Sequence, residues 1–354
     1  MTPAFEFEPF PRGLYTADAL LDGFDPDRPA TYANMRDTLI YAEFVRGGGA
    51  ACGDYLTAMS RALHDNGITQ ALADEMASAK IVAIMGGHIG ARGDDVYADT
   101  ARIAASLAAA GFTIASGGGP GIMEAAHLGA AFAGDSGLED ALKELGAPAV
   151  PKAIPANAAH LIAADGSIDT AIAEALGTYL APAVRVLRAL GHGGGLGIPT
   201  WLYGHEPTTP LAANIAKYFQ NSIREDGLLA IATSGIIYMK GGAGTLQEVF
   251  QDAAQNYYKT FPTGPGKTGE FSPMVFYGDF WTDPKQVPIR PVLDALFGTP
   301  AQPPARNIGN DYADWVRFLT DPKEVLAHLQ SFNGQPTHAL ALLGSSARRP
   351  PGAP

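Results

Sequence analysis

The chain reads as an α/β protein: a doubly wound parallel sheet with N-terminal helices and a helical insertion. Three observations predict this class. From residue 80 onward, short apolar runs alternate with helix-length segments, the pattern of strand–helix–strand units that build a parallel sheet. Two of those runs, at 112–115 and 236–239, deliver glycine clusters: Gly117-Gly118-Gly119-Pro120-Gly121-Ile122-Met123-Glu124 and Gly241-Gly242-Ala243-Gly244-Thr245-Leu246-Gln247-Glu248. A third run, 81–85, ends at Gly86-Gly87-His88. Ligands of doubly wound sheets bind at the carboxyl ends of the strands, which is where all three glycine turns would lie.

Taken in order, residues 1–30 are rich in Pro, Asp and aromatics and read as irregular. Amphipathic helices are expected over 32–46 and 55–77, parted by Gly47-Gly48-Gly49, so that 1–79 forms an N-terminal extension. The sheet domain spans 80–333, with a strand at 81–85, a helix at 97–110 and the strand that enters the first cluster. Residues 135–195 break the rhythm with Ala-rich helical pieces and Gly193-Gly194-Gly195; we read them as an insertion covering one side of the site. The sheet is expected to resume at 198–203. A helix should follow with Leu211, Ile215, Tyr218, Phe219 and Ile223 on its apolar side and Asn214, Lys217, Asn221 and Arg224 along one polar stripe. Strands at 236–239 and 274–277 and a closing helix at 322–332 complete the domain, and 334–354 reads as a disordered tail.

Composition narrows the class of function. A net charge of −12 over 354 residues argues against a nucleic-acid-binding surface or an anionic-membrane surface. A single cysteine, Cys52, excludes a disulfide framework and fits a reducing compartment. The start of the chain has neither a basic segment nor an apolar core, and no apolar run approaches the ~18 residues of a membrane span. The expectation is a cytoplasmic globular protein that contacts neither nucleic acid nor membrane.

The glycine clusters carry the chemistry. Backbone amides at a helix start form an anion site, and glycine lets a phosphate approach the main chain. The first cluster fails the dinucleotide fingerprint, because its third position is Ile122 and no acid closes the next strand. Gly266-Lys267-Thr268 imitates a P-loop, but Phe261 stands where the leading glycine belongs. In the second cluster, Thr245 and Glu248 have capping-box spacing. A cap alone does not account for the glycines before it, whereas a nest of amides plus the Thr245 hydroxyl suits a monophosphate. Glu248, read into the first helical turn, would then reach a sugar attached to that phosphate. Arg224 is its candidate partner. The eight histidines show no metal-ligand spacing, and no Gly-x-Ser-x-Gly elbow occurs.

These residues resemble the LONELY GUY family, also labelled "lysine decarboxylase-like", whose signatures are a Gly-Gly-Gly-x-x-Gly-type loop with Met shortly after it and a Pro-Gly-Gly-x-Gly-Thr-x-x-Glu segment. They stand here as Gly117 to Glu124 and Lys240 to Glu248, and Gly86-Gly87-His88 is closest to the family's bacterial nucleotide 5′-monophosphate nucleosidases. The resemblance implies a Rossmann-like domain that cleaves the N-glycosidic bond of a nucleoside 5′-monophosphate without metal or cofactor. By that analogy Gly241, Gly242, Gly244 and Thr245 hold the 5′-phosphate; Lys240 departs from the family's proline and either adds a phosphate contact or marks a changed loop. Glu248 stabilises the oxocarbenium-like transition state and handles water, while an arginine orients it. Gly86, Gly87, His88, Gly117, Gly118, Gly119, Gly121, Met123, Glu124 and Glu206 complete the substrate site. Aligned without gaps, the family's arginine falls on Glu225, one place after Arg224. On a helix that slip rotates a side chain by ~100°.

Related proteins dimerise through the helix after the second cluster, so Leu246, Val249, Phe250 and Ala253 mark an expected homodimer or higher homo-oligomer face. Two other readings compete. One is a nucleotide-binding sensor that keeps the phosphate nest without catalysis. The other is a pyridoxal-phosphate enzyme, for which Lys240 would have to be the Schiff-base lysine.

Overall fold

The computed structural model describes residues 5–202, 207–259, 271–299 and 311–332. The chain opens with α1 (Ala17–Leu21), α2 (Arg36–Arg46) and α3 (Tyr55–Glu75). The sheet domain then runs β1 (Ile81–Met85), α4 (Asp95–Ala109), β2 (Thr113–Ser116) and α5 (Ile122–Ala131). The insertion supplies α6 (Leu138–Leu145) and α7 (Thr170–Leu190) before β3 (Leu196–Gly197) and β4 (Asn214–Ile215). Next come α8 (Asn221–Ile231), β5 (Ile236–Tyr238), α9 (Ala243–Tyr258), β6 (Met274–Tyr277) and α10 (Arg290–Phe297). The described chain closes with α11 (Asp311–Trp315), β7 (Val316–Leu319) and α12 (Pro322–Ser331).

Among the described residues all seven strands are parallel and lie in the order β4-β3-β2-β1-β5-β6-β7. The winding reverses between β1 and β5, where Ala83, Ile84 and Met85 pair with Ile236, Ile237 and Tyr238. Both faces are covered, so the central strands are apolar throughout. β1 divides its side chains by the period of two. Ile81, Ala83 and Met85 pack with Leu228, Leu229, Val249 and Ala253 of α8 and α9. Val82 and Ile84 pack on the other face with Ile103, Leu107, Ile122 and Ala126 of α4 and α5, and with Val325 and Leu329 of α12. The expected doubly wound α/β class is the observed one.

The N-terminal extension and the insertion share a third core. Tyr32, Met35 and Ala42 pack against Leu161, Ile172, Leu176, Leu180 and Val184. The extension also reaches the sheet edge, where Tyr15 and Ile215 exchange backbone hydrogen bonds of 2.9 and 2.8 Å. No residue of 135–195 lines the candidate site, so the insertion braces the extension instead of covering the site as expected.

Three sequence expectations give way. The strand expected at 198–203 is β3, which ends at Gly197; Pro199 has no amide for an interior ladder. The helix expected across 211–223 starts only at Asn221, because 214–215 pairs with β3 as an edge strand. Lys217, expected on the polar stripe of that helix, is 2% exposed. Finally, Val249 and Ala253 are fully buried in the chain's own core, so of the proposed oligomer face only Phe250 remains largely exposed. Tail residues 334–354 and the Gly266-Lys267-Thr268 segment lie outside the described residues. Among those described, no helix is long and apolar enough to cross a membrane.

Candidate active site

The carboxyl ends of β1, β2, β3 and β5 surround a cavity of about 590 Å3 beside the reversal point of the sheet. Gly86, Gly87 and His88 enter it from β1, Gly117, Gly119 and Met123 from β2 and α5. Gly242, Gly244, Thr245 and Glu248 enter from β5 and α9, and Arg224 from α8. Turns separated by more than 150 residues of sequence thus meet in one place, as the strand-end rule predicts.

α9 starts three residues earlier than a Thr245 cap would have it. Its N-cap is Gly242, and no side chain caps it. Its first backbone bond runs from Leu246 N to the Gly242 carbonyl, at 3.1 Å. The amides of Ala243, Gly244 and Thr245 therefore have no acceptor within the helix and belong to residues that line the cavity. Thr245 instead folds back over Gly241, where a Cβ would stand 2.6 Å from the Thr245 Cβ; only glycine fits. Glu248 accordingly lies in the second turn, not the first. Helical side chains lean toward the N-terminus, which brings its carboxylate back to the cavity.

Arg224, not Glu225, faces Glu248. Its Nη1 lies 3.8 Å from Glu248 Oε1, and the two side chains are 13% and 14% exposed. Arg224 Nε donates to the Ile198 carbonyl at 2.8 Å, which ties the guanidinium to the end of β3. Its Nη2 lies against Gly117, where any Cβ would overlap it and also stand 2.7 Å from Met123 Sδ. Glu225 reaches the cavity as well, but it accepts from Gln247 Nε2 at 2.9 Å. Below Glu248, fully buried Asp252 accepts from the Tyr238 hydroxyl at 2.7 Å. Burial pushes the Asp252 carboxyl up to about 8.

Other expected contacts are spent elsewhere. Glu124 is 1% exposed and holds Arg92 through two bonds of 2.6 Å, with a third from the Tyr97 hydroxyl at 2.8 Å. The cavity does not reach it, so it is a structural ion pair and not a substrate contact. Lys240 Nζ sits 5.9 Å from the Phe280 ring centre, away from the cavity lining. Lys240 is therefore not among the side chains that line the cavity. Gly118, Gly121 and Gly241 shape the turns from behind without lining the cavity, and Glu206 falls outside the described residues.

Behind the first cluster, the Ser116 hydroxyl bonds His127 Nε2 at 2.8 Å and accepts from Gly118 N at 3.1 Å. His127 Nδ1 donates to the Gly194 carbonyl at 2.8 Å, and burial pushes the imidazole down to about 4. It is a neutral strut that fixes the turn. Pro199 and Thr200 also line the cavity and were missed, because the strand that delivers them was placed too late. Pro199, lying inside the expected strand, was the available signal.

Among the described residues, no three His, Cys, Asp or Glu side chains gather as a metal site would. No protein-family model matches the chain, and no curated protein matches it.

Proposed function

We propose that the chain hydrolyses the N-glycosidic bond of nucleoside 5′-monophosphates, releasing free base and ribose 5-phosphate. One observation carries this reading: a glycine-led helix start and a carboxylate–arginine pair share a single cavity. The 5′-phosphate docks on the amides of Ala243, Gly244 and Thr245 and on the Thr245 hydroxyl. Amides at a helix start bring fixed partial positive charge, so the anion is held without a lysine. Glu248 is three residues further along, ~4.5 Å of helix rise, which sets its carboxylate beside the sugar instead of the phosphate.

Bond breaking leaves positive charge on the anomeric carbon, and a carboxylate beside it stabilises that charge. The anchored phosphate supplies the orientation. Water adds to the anomeric carbon as the carbon–nitrogen bond breaks; its proton passes to Glu248 and from there to the departing base nitrogen, which leaves Glu248 ionised again. Arg224, tied to the Ile198 carbonyl, holds Glu248 in place. The reaction as written uses no metal or redox cofactor. A homodimer belongs to the same reading and would use the exposed Phe250 and Tyr258 of α9.

Purified protein incubated with AMP, GMP, IMP, CMP and UMP, followed by chromatography of products, tests the proposal. Free base with equimolar ribose 5-phosphate supports it and ranks the substrates. Intact nucleotides that nevertheless bind would assign the site to a nucleotide sensor.

A further inference from the structure

Helix α3 buries a polar face. Arg61, His64 and Asp65, at helical offsets of three and four, are 6%, 0% and 0% exposed. Polar side chains are buried at a cost unless their partners are good, so the partners state what the face is for. His64 is held between Asp65 Oδ1 at 2.9 Å and the Tyr15 hydroxyl at 2.8 Å. Asp65 itself accepts from two backbone amides far along the chain, Phe219 N at 3.0 Å and Gln220 N at 2.9 Å.

Those two amides are the entry to α8. Gln220 is its N-cap, and the Gln220 side chain makes no capping bond of its own. Arg224 follows one turn later. The neighbouring Tyr218 carbonyl accepts from Trp201 N and the Thr200 hydroxyl, both at 3.0 Å, and Thr200 lines the cavity. A second carboxylate of the extension acts alongside: Asp37 takes Lys217 Nζ and Trp201 Nε1, each at 2.7 Å. The run 217–220 is therefore fixed from the N-terminal helices, and the arginine wall of the cavity grows from it.

We infer that Asp65 is a positioning residue: by holding the Phe219 and Gln220 amides it sets the start of α8 and so the stance of Arg224 against Glu248. The N-terminal extension is then part of the catalytic architecture and not an appendage. The kinetic side of this inference rests on the hydrolase reading above; the hold on α8 does not.

Base release from AMP by wild type, Asp65→Asn, Arg224→Ala and the double variant gives a cycle. Asp65→Asn is expected to lower kcat ~10-fold with KM within ~2-fold, and to cost less than ~2-fold more once Arg224 is gone. Equal losses in both backgrounds, or a raised KM with unchanged kcat, would overturn the inference. Amide hydrogen exchange reads the same contact without turnover. In wild type the Phe219 and Gln220 amides should exchange as slowly as those of β1, and Asp65→Asn should speed 219–225 at least ~10-fold while β1 and β5 keep their rates. Fast exchange of the two amides in wild type, or a variant that exchanges fast everywhere, also overturns it. A wild type that releases no base yet shows this exchange pattern would remove the hydrolase reading while supporting the hold of Asp65 on α8.

Discussion

The two glycine clusters look alike in sequence and are used in opposite ways. Each follows a buried parallel strand, each starts a helix, and each places a glutamate shortly after the glycines. At the first, the helix start is occupied by the protein itself: Ile122 N donates to the Gly87 carbonyl at 3.4 Å. All ten residues of α5 are buried, and Glu124 is consumed by Arg92. At the second, the first-turn amides belong to cavity-lining residues, α9 is amphipathic, and Glu248 lies in the cavity wall. An acid after a glycine turn is thus not a site by virtue of its position. What faces it decides: a buried guanidinium with no other use for Glu124, an open volume and a shared arginine for Glu248.

Substitutions at matching positions separate the two roles. The largest effect is expected at Glu248: changing it to Ala should cut kcat ~10⁴-fold, about 5 kcal/mol, with little change in melting temperature. Glu124→Gln should do the reverse. It leaves Arg92 buried without its carboxylate, and a broken buried pair costs about 4 kcal/mol, read as a lower urea midpoint at unchanged m-value.

The strut behind the first cluster adds a pH signature. His127 is held near 4 when folded against an ordinary value of 6.5, so the unfolded chain takes up the proton first. The stability it contributes is complete above pH 6.5 and is lost as pH falls toward 4, by about 3 kcal/mol at most. His127→Gln should flatten the acid limb of a stability–pH curve; an unchanged limb would remove the residue from the account. The smallest effect belongs to Gly117→Ala. The backbone there is not left-handed, so the protein should fold, but the new methyl must displace Arg224. A ~10-fold lower kcat, about 1.4 kcal/mol, with normal stability is expected.

Much of this was legible before the fold. β1 and β6 match the expected runs residue for residue, because strands buried on both faces read as unbroken apolar segments. The cavity follows from the same rule, since its glycine turns sit at strand ends. The helix over 211–223 was misread for a physical reason: Leu211, Ile215 and Phe219 are spaced by four, which satisfies a helical face and an extended one equally. Lys217 went with it, because its partner Asp37 lies 180 residues away. Strand β7 escaped notice since Arg317 interrupts a short edge run whose residues are mostly half-buried. Nothing local marks Asp65 either; the only hint is a cluster of polar residues within an otherwise apolar helix face.

The most direct test of the contrast measures AMP affinity and base release on the same preparations of wild type and Glu248→Ala. The account predicts that release falls ~10⁴-fold while the AMP dissociation constant stays within ~3-fold, because the proposed phosphate site consists of amides that the substitution leaves in place. Affinity lost in parallel with turnover, or turnover that survives the substitution, would contradict it.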